Sequence, residues 1–278
     1  MWMLTHTFDV IQHHELIWNL VKRDLKARYK VSVLGFLWSL LRPLFMMVIF
    51  TIVFSQMFRW DIHMHAPYPL FLLCAILPWQ FLAGSLNNGA QCLLSNESLI
   101  KKVSLPREVF PIATMLAELI NFGLSIIVLI PFLIVFRIGF SFWLIWVPIL
   151  LLIEIIIVLG FTFLVSSLNV FFRDTLAILD LFLMAWFYLS PIFYPVSLVQ
   201  QHASQTIYNI YLLNPMTSLL TGFRKAFLAN GFIPSSGFGY DFHEWITFLG
   251  ISTLIAVIIF IMGWFVFHAF DKKLVDTL

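Results

Sequence analysis

Six apolar runs, each at least about 18 residues long, constrain this chain more than any other feature, because a run of that length suits a helix that crosses a bilayer. They cover 35–58, 69–94, 110–136, 142–170, 175–192 and 245–270. Hydrocarbon leaves backbone N–H and C=O groups no water to bond, and an α-helix satisfies them within its own segment. The expected fold is therefore an all-α polytopic membrane protein: a single transmembrane domain over 1–278 with six transmembrane helices. Composition agrees, with 61% hydrophobic and only 11% charged residues and a mean hydropathy of +0.96. A soluble domain carries about 25% charged residues. The net charge of +2 is too small to argue for nucleic acid, so no such partner is expected. Cys74 and Cys92 share one run, about 27 Å apart along a helix, too far to bridge. The first fifteen residues mix histidines, Asp9 and Glu15 with apolar positions, so no cleavable leader is expected.

Ahead of the first run, Ile17, Val21, Leu25 and Tyr29 recur every four residues with Leu20 beside them, while Lys22, Arg23, Lys26 and Lys30 take other faces. A helix over 16–33 thus has one oily and one basic side and suits a membrane surface. The 16 Lys and Arg residues then set the orientation, since positive loops stay in the cytoplasm. Lys22, Arg23, Lys26, Arg28, Lys30, Arg42, Lys101, Lys102, Arg107, Arg173, Lys272 and Lys273 fall on one side, and only Arg59, Arg137, Arg224 and Lys225 on the other. Both termini are expected in the cytoplasm.

Two connecting segments carry structure of their own. Residues 207–228, IYNIYLLNPMTSLLTGFRKAFL, form two short apolar stretches broken at Asn214 and Pro215. Each is too short to cross, which suits a re-entrant outer helical hairpin between spans 5 and 6 or, alternatively, two amphipathic helices on the outer surface. Residues 232–240 read as a plain loop. On the inner side, SNESLIKKVSLPREVFP (95–111) supplies Ser95 or Asn96 as a cap, Glu97 or Ser98 near the positive helix end and Pro106 as a stop. That short helix, with Lys101 and Lys102 exposed, is a lever for a partner or merely a solvated connector.

None of the twelve glycines precedes a lysine, so a GxxxxGK[ST] phosphate loop is absent and the chain cannot hydrolyse ATP alone. Glu118, Glu154 and Asp180 fall inside spans, where lipid exposure costs about 2.5–3.5 kcal/mol at the helix centre. They are either proton-relay groups or polar groups facing a helix interface or a wet lumen. Aromatic residues make up 17% of the chain. Many suit interfacial belts, but Phe36, Trp38 and Phe45 in span 1, with Trp186, Tyr188 and Tyr194 in and after span 5, could also form a ladder. A sugar's C–H face binds such rings without a fixed hydrogen-bond pattern, so a polymer can slide along them. The eight histidines lack partners at zinc spacing, and no metal site is expected.

RDLKARYKVSVLGFLWSLLRPL (23–44), LIKKVSLPREVFP (99–111), NVFFRD (169–174), YLSPIFYP (188–195) and NPMTSLLTGFRKAF (214–227) together resemble, in order, the membrane subunit of type 2 ABC exporters of polysaccharides. That family includes O-antigen, capsule and teichoic acid exporters. The resemblance implies a bacterial inner-membrane homodimer, embedded in membrane lipid, that works with two separate nucleotide-binding ATPase subunits. Those partners would carry ATP and Mg; no cofactor is expected on this chain. It further implies an interface helix at 16–33 carrying Lys22, Arg23, Lys26 and Arg28. A coupling helix within 95–105 would include Asn96, Glu97, Lys101 and Lys102, and Arg173 and Asp174 would make a second cytoplasmic contact. The 207–228 hairpin, with Asn214, Pro215 and Arg224, would be an outer gate. The implied cargo is a lipid-linked polysaccharide, O-antigen first, capsule or teichoic acid next. Two other classes compete: a proton-coupled secondary transporter using Glu118, Glu154 and Asp180, and a membrane-embedded glycosyl or acyl transferase. Against the transferase, no His–Asp or paired-carboxylate constellation is present.

Overall fold

Helices account for the regular structure of this chain, and no strand occurs among the described residues. The computed structural model describes residues 13–30, 37–57, 67–103, 105–139, 142–228 and 242–277. Phe36 lies outside the described residues, as do 31–33 of the basic ledge and the 232–240 loop, and so do the side chains of Arg28, Lys30, Trp38 and Arg42.

The bundle is built around α3 (Tyr68–Gln91), which starts between Pro67 and Pro69, where a missing N–H leaves no intrahelical bond unmade. Leu70, Leu72, Leu82, Leu86 and Ala90 have no exposed surface, so most of this helix is enclosed by its neighbours. It packs against α2 (Leu37–Thr51, continued by a π-helical turn Ile52–Met57), α5 (Val109–Val135), α6 (Val147–Phe171) and α7 (Thr175–Tyr188). The helix α10 (Pro215–Leu228) also packs on it.

The most extensive pairing joins α6 to α11 (Phe242–Thr277), and two glycines permit it. A Cβ added at Gly160 would lie 2.6 Å from Phe260 Cα, and one added at Gly263 would run into the Gly160 carbonyl oxygen. Small residues at such a crossing let two backbones touch, which is how helices associate where lipid removes any hydrophobic incentive.

The oily side of α1 (His14–Lys30) is covered by protein. Ile17, Leu20 and Val21 pack with Cys92, Leu93, Ile100, Phe110, Trp264 and Phe267 at one end of the bundle. Lys22, Arg23 and Lys26 stay exposed. The expected amphipathic helix is present, but its apolar stripe serves the fold itself; periodicity alone cannot tell a lipid surface from a protein one.

Among the described residues, four helical segments are long and apolar enough to cross a membrane: Tyr68–Gln91, Val109–Val135, Phe142–Phe171 and His243–Phe270. Pro43–Phe54 and Thr175–Tyr188 are shorter apolar helices. α7 rises about 21 Å, short of the ~30 Å hydrocarbon thickness. Its apolar run continues to residue 192, but the helix stops at Tyr188, because a residue before a proline avoids the helical region and Pro191 and Pro195 follow.

The 207–228 stretch divides as its Asn214–Pro215 break suggests. α9 (Gln205–Leu212) buries only Tyr208 and Leu212. In α10 every residue but Lys225 and Phe227 is buried. Its Gly222 lets it close on α6 and α11, since a Cβ there would meet Leu150 Cδ2 at 2.8 Å and Trp245 at 3.0 Å. Ser218 shares a 2.5 Å hydrogen bond with Ser252, and Trp245 Nε1 donates to the Ser218 carbonyl at 3.1 Å. α10 is thus enclosed by the protein on nearly every side, whereas α9 keeps most of its residues at the surface.

Candidate functional site

At the end where α1 packs, a 3₁₀ turn (Leu94–Asn96) leads into α4 (Glu97–Lys102). Here the sequence expectation of a side-chain cap from Ser95 or Asn96 is not met. The Asn96 amide nitrogen donates to the Cys92 carbonyl at 2.7 Å, and its oxygen accepts from Arg23 Nη1 at 2.7 Å. A residue 73 positions away claims the group that local rules assign to the helix. α1 and α4 are consequently joined by a charge-assisted hydrogen bond, with Arg23 also paired to Asp24 at 2.9 Å. Glu97 and Lys101 form an exposed pair at 2.6 Å, worth about 0.3–0.5 kcal/mol in a helix. Lys102 is exposed, and Arg173 and Asp174 are exposed in the turn between α6 and α7.

Sequence reasoning missed a buried pair beside this region. Glu108, at the start of α5, contacts His268 Nε2 on α11 at 2.8 Å, with both side chains 6% exposed. His268 Nδ1 faces the Trp264 carbonyl at 2.9 Å. A carbonyl only accepts, so Nδ1 carries a hydrogen, and Nε2 shares a further proton with the Glu108 carboxyl. The i, i+4 spacing of Trp264 and His268 was the available signal; the link to Glu108 was not local.

Midway along the bundle, α2, α3, α5 and α7 surround an open cavity of about 750 Å³. Its wall is mixed: Phe50, Trp79, Phe81, Phe122, Phe187 and Tyr188 bring rings to it, and Gln80, Asn87, Asn88, Glu118 and Asn121 bring polar groups. Asn88 Nδ2 donates to Glu118 Oε1 at 2.6 Å and to the Gly84 carbonyl at 2.8 Å, and Asn121 Nδ2 donates to Glu118 Oε2 at 3.1 Å. Glu118, Asn121 and Ser125 are spaced three and four apart on one face of α5, a signal the sequence did contain.

Of the aromatic candidates, Tyr188 lines this cavity. Phe45 projects from α2 and is 59% exposed. Trp186 is edge-on to Trp79 at 5.8 Å and donates to Asn214 Oδ1 at 2.9 Å, while Tyr194 donates to the Tyr188 carbonyl at 3.1 Å.

The three carboxyls that fall within the apolar runs have separate surroundings. Glu118 has the amide partners just described. Glu154, on α6, has no exposed surface, and neither of its oxygens has a hydrogen-bond partner among the described residues. Asp180 is exposed on α7, where only Leu179 and Leu183 are buried and Ile178, Leu181 and Met184 are bare. An unpaired buried polar group costs about 1–3 kcal/mol. Glu154→Met, of similar volume, is therefore expected to raise the thermal midpoint of the purified protein by several degrees. A lowered midpoint would mean that the Glu154 carboxyl contributes to the fold.

The far end is organised by carbonyls. Between α7 and α8 (Val196–His202) the chain runs non-helically through Leu189–Pro195, so its C=O groups need outside donors. Arg224, only 2% exposed, donates to the Ile192 carbonyl at 2.5 Å and the Phe71 carbonyl at 3.1 Å, with its guanidinium 3.5 Å from the Phe71 ring centre. Tyr68 donates to the Phe193 carbonyl at 2.8 Å. Asn214 donates to Ser190 Oγ at 3.1 Å and accepts from Met216 N at 3.1 Å, while Pro215 beside it is buried. Tyr211 bonds Tyr194 hydroxyl to hydroxyl at 3.3 Å, and burial raises the pKa of both, so the contact is between neutral groups. Charge counting puts Arg224 among the outer cations. The structure encloses it, and both it and Asn214 hydrogen-bond this segment.

Comparison with known proteins accords with a helical bundle arranged in this way. Residues 15–228 match the family described as ABC-2 type transporter. Relatives include an O-antigen export system permease protein RfbA of Myxococcus xanthus, 32% identical over 79% of this chain and 82% of its own length. A protein of the same description from Klebsiella pneumoniae is 33% identical over 88% of this chain and 89% of its own length. A second from Klebsiella pneumoniae is 32% identical over 88% and 91%. The matched region runs from α1 through α10, taking in the α1–α4 junction, the cavity and the carbonyl-held segment, and on that extent the chain belongs to the ABC-2 type transporter family.

Proposed function

We propose that this chain is the channel-forming permease subunit of an ATP-driven exporter that moves a lipid-linked polysaccharide, O-antigen type first, from the cytoplasmic side of a bacterial inner membrane. It would cross six times with both termini in the cytoplasm and work as two copies with two separate ATPase subunits. The relatives' role in O-antigen export carries the choice of cargo. The bare face of α7 supports the second copy. A carboxyl such as Asp180 facing lipid near mid-span costs about 2.5–3.5 kcal/mol, so that face belongs to a lumen or a neighbouring subunit. The separation of Glu118, Glu154 and Asp180 into unlike surroundings leaves a proton relay without a connected path.

In this reading ATP binding drives the partner ATPases against α4, and the Arg23–Asn96 bond passes the displacement to α1 as one body. Coupling then arises from contacts that differ between closed and open states. Asn96→Ala breaks the bond while sparing the exposed surface of α4. Its expected result is a drop of about tenfold in polysaccharide exported per ATP, the equivalent of one charge-assisted hydrogen bond. An unchanged ratio would remove the coupling role.

The test of the whole reading is co-expression with the ATPase partner, isolation in nanodiscs and assay of ATP hydrolysis with lipid-linked polysaccharide. A complex of two copies of each chain with polysaccharide-dependent turnover is expected. A chain that retains no ATPase through purification would defeat the reading.

A further inference from the structure

The cavity's polar wall has no part in holding the bundle's ends together, and its chemistry is specific. We propose that Asn88, Glu118 and Asn121 form a hydroxyl-binding subsite in each copy that selects a neutral glycan over a phosphate-bearing polymer; this rests on the exporter reading above.

Four observations carry it. First, the group is built rather than accidental: Glu118 and Asn121 are 6% and 9% exposed, and two amides fix both carboxyl oxygens in place. Second, α3 makes room for it. A Cβ at Gly84 would lie 3.1 Å from Glu118 Oε2, tighter than ordinary contact, so glycine there is matched to a carboxyl at this position. Third, both amide hydrogens of Asn88 are engaged, by Glu118 and by the Gly84 carbonyl, which leaves its Oδ1 to accept from a ligand hydroxyl. Asn87, next to Asn88, adds a further donor and acceptor to the cavity's lining.

The fourth observation is the pairing of this wall with rings. Trp79 and Asn88 are about 13 Å apart along α3, so a chain lying in the cavity meets both aromatic faces and hydroxyl-matching groups along its length. Rings take the C–H face of a sugar and amide–carboxyl groups take its rim, a division that uses both surfaces of the same molecule. No Lys or Arg lines the cavity among the described residues, whereas a carboxyl does. A polymer carrying a phosphodiester in each unit would find no counter-charge there and would meet a like charge or a fixed acceptor. A neutral hydroxylated chain meets neither obstacle.

The complex with its ATPase partner, in nanodiscs, is assayed for stimulation of ATP hydrolysis by two probes: a neutral lipid-linked hexose polymer and a lipid-linked poly(glycerol phosphate). The neutral polymer alone is expected to stimulate. Glu118→Gln and Asn121→Ala are each expected to raise the concentration giving half-maximal stimulation by about tenfold, as loss of one buried hydrogen bond does. A lesion that is only structural lowers the maximal rate without moving that concentration, and such a result overturns the subsite. So does equal stimulation by both polymers. Should these variants fold poorly, Asn87→Cys supplies a second measurement. Cys74 and Cys92 are buried, so the new thiol is the one a water-soluble reagent reaches. Its labelling is expected to slow severalfold when the neutral polymer is present, and an unchanged rate counts against the subsite. If neither polymer stimulates the unmodified complex, the exporter reading falls and takes the subsite with it; if the neutral polymer stimulates every variant alike, the subsite alone falls.

Discussion

Gly263→Leu is expected to abolish the folded protein: the helices still insert, but the bundle gives no monodisperse species after extraction in mild detergent. The reason is geometric. At the α6–α11 crossing a Cβ on Gly263 coincides with the Gly160 carbonyl, and on the other side a Cβ on Gly160 meets Phe260 backbone atoms at 2.6 Å. A flexible side chain can swing away from an intruding methyl, but a helical backbone cannot. Relief requires the two axes to separate along the most extensive contact in the molecule. Extra methylenes in a packed core cost about 1–3 kcal/mol even where neighbours yield. Here the neighbours are main chain, so the cost is expected at or beyond the top of that range.

The same helix supplies its own control. Gly250 has nothing within 4 Å of its would-be Cβ. Gly250→Leu should therefore behave as a surface substitution on a helix, gaining about 0.8–1 kcal/mol of helix propensity. Fluorescence-detected size exclusion of the two variants, followed by heating, separates the cases. Equal stability of Gly263→Leu and Gly250→Leu would mean that α6 and α11 do not cross where the glycines meet.

Sequence legibility followed the range of the interactions. The spans at 69–94, 110–136, 142–170 and 245–270 were legible because an apolar run declares itself residue by residue, and each has a long apolar helix. α7 was overextended because hydropathy does not register where Pro191 ends a helix. Location in an apolar run makes the two glutamates equivalent, although their neighbours differ. Glu118 has Asn121 and Ser125 on its own face, whereas Glu154 sits among Leu151, Leu152, Ile153, Ile155 and Ile156. The first proved to be hydrogen-bonded and the second unpartnered. What no local pattern contained were the contacts across 73, 160 and 153 positions: Arg23 to Asn96, Glu108 to His268, and Arg224 to Phe71. Each spends a polar side chain on a backbone or charge whose need arises only once the helices are assembled.

Arg224 is the case with the largest consequence. Charge counting treats it as an outer cation, yet it is only 2% exposed. Enclosure is tolerated because Leu189–Pro195 has left the helical path, and the Ile192 carbonyl takes its donor from Arg224. Arg224→Met keeps the length of the side chain but strips the Ile192 carbonyl of its donor and the Phe71 ring of its cation. Removing one partner from a buried charged arrangement costs about 3–5 kcal/mol, and replacement by a well-packed apolar side chain recovers part of that. A loss of about 2–3 kcal/mol in stability is expected, the unsatisfied-group cost that remains. The functional effect should exceed the stability effect. Tyr68, Asn214 and Arg224 hold the same seven-residue segment, so its position is set jointly and loosens when one support goes. If the segment closes the outer end of a channel, purified Arg224→Met protein reconstituted in liposomes should pass a small neutral solute without ATP, while the unmodified protein does not. Arg224→Lys gives the discriminating comparison. A lysine keeps the charge but loses the fork that reaches two carbonyls at once. A leak in Arg224→Lys as large as in Arg224→Met assigns the role to carbonyl anchoring, and a tight Arg224→Lys assigns it to charge. Two tight variants would mean that this segment does not seal the channel.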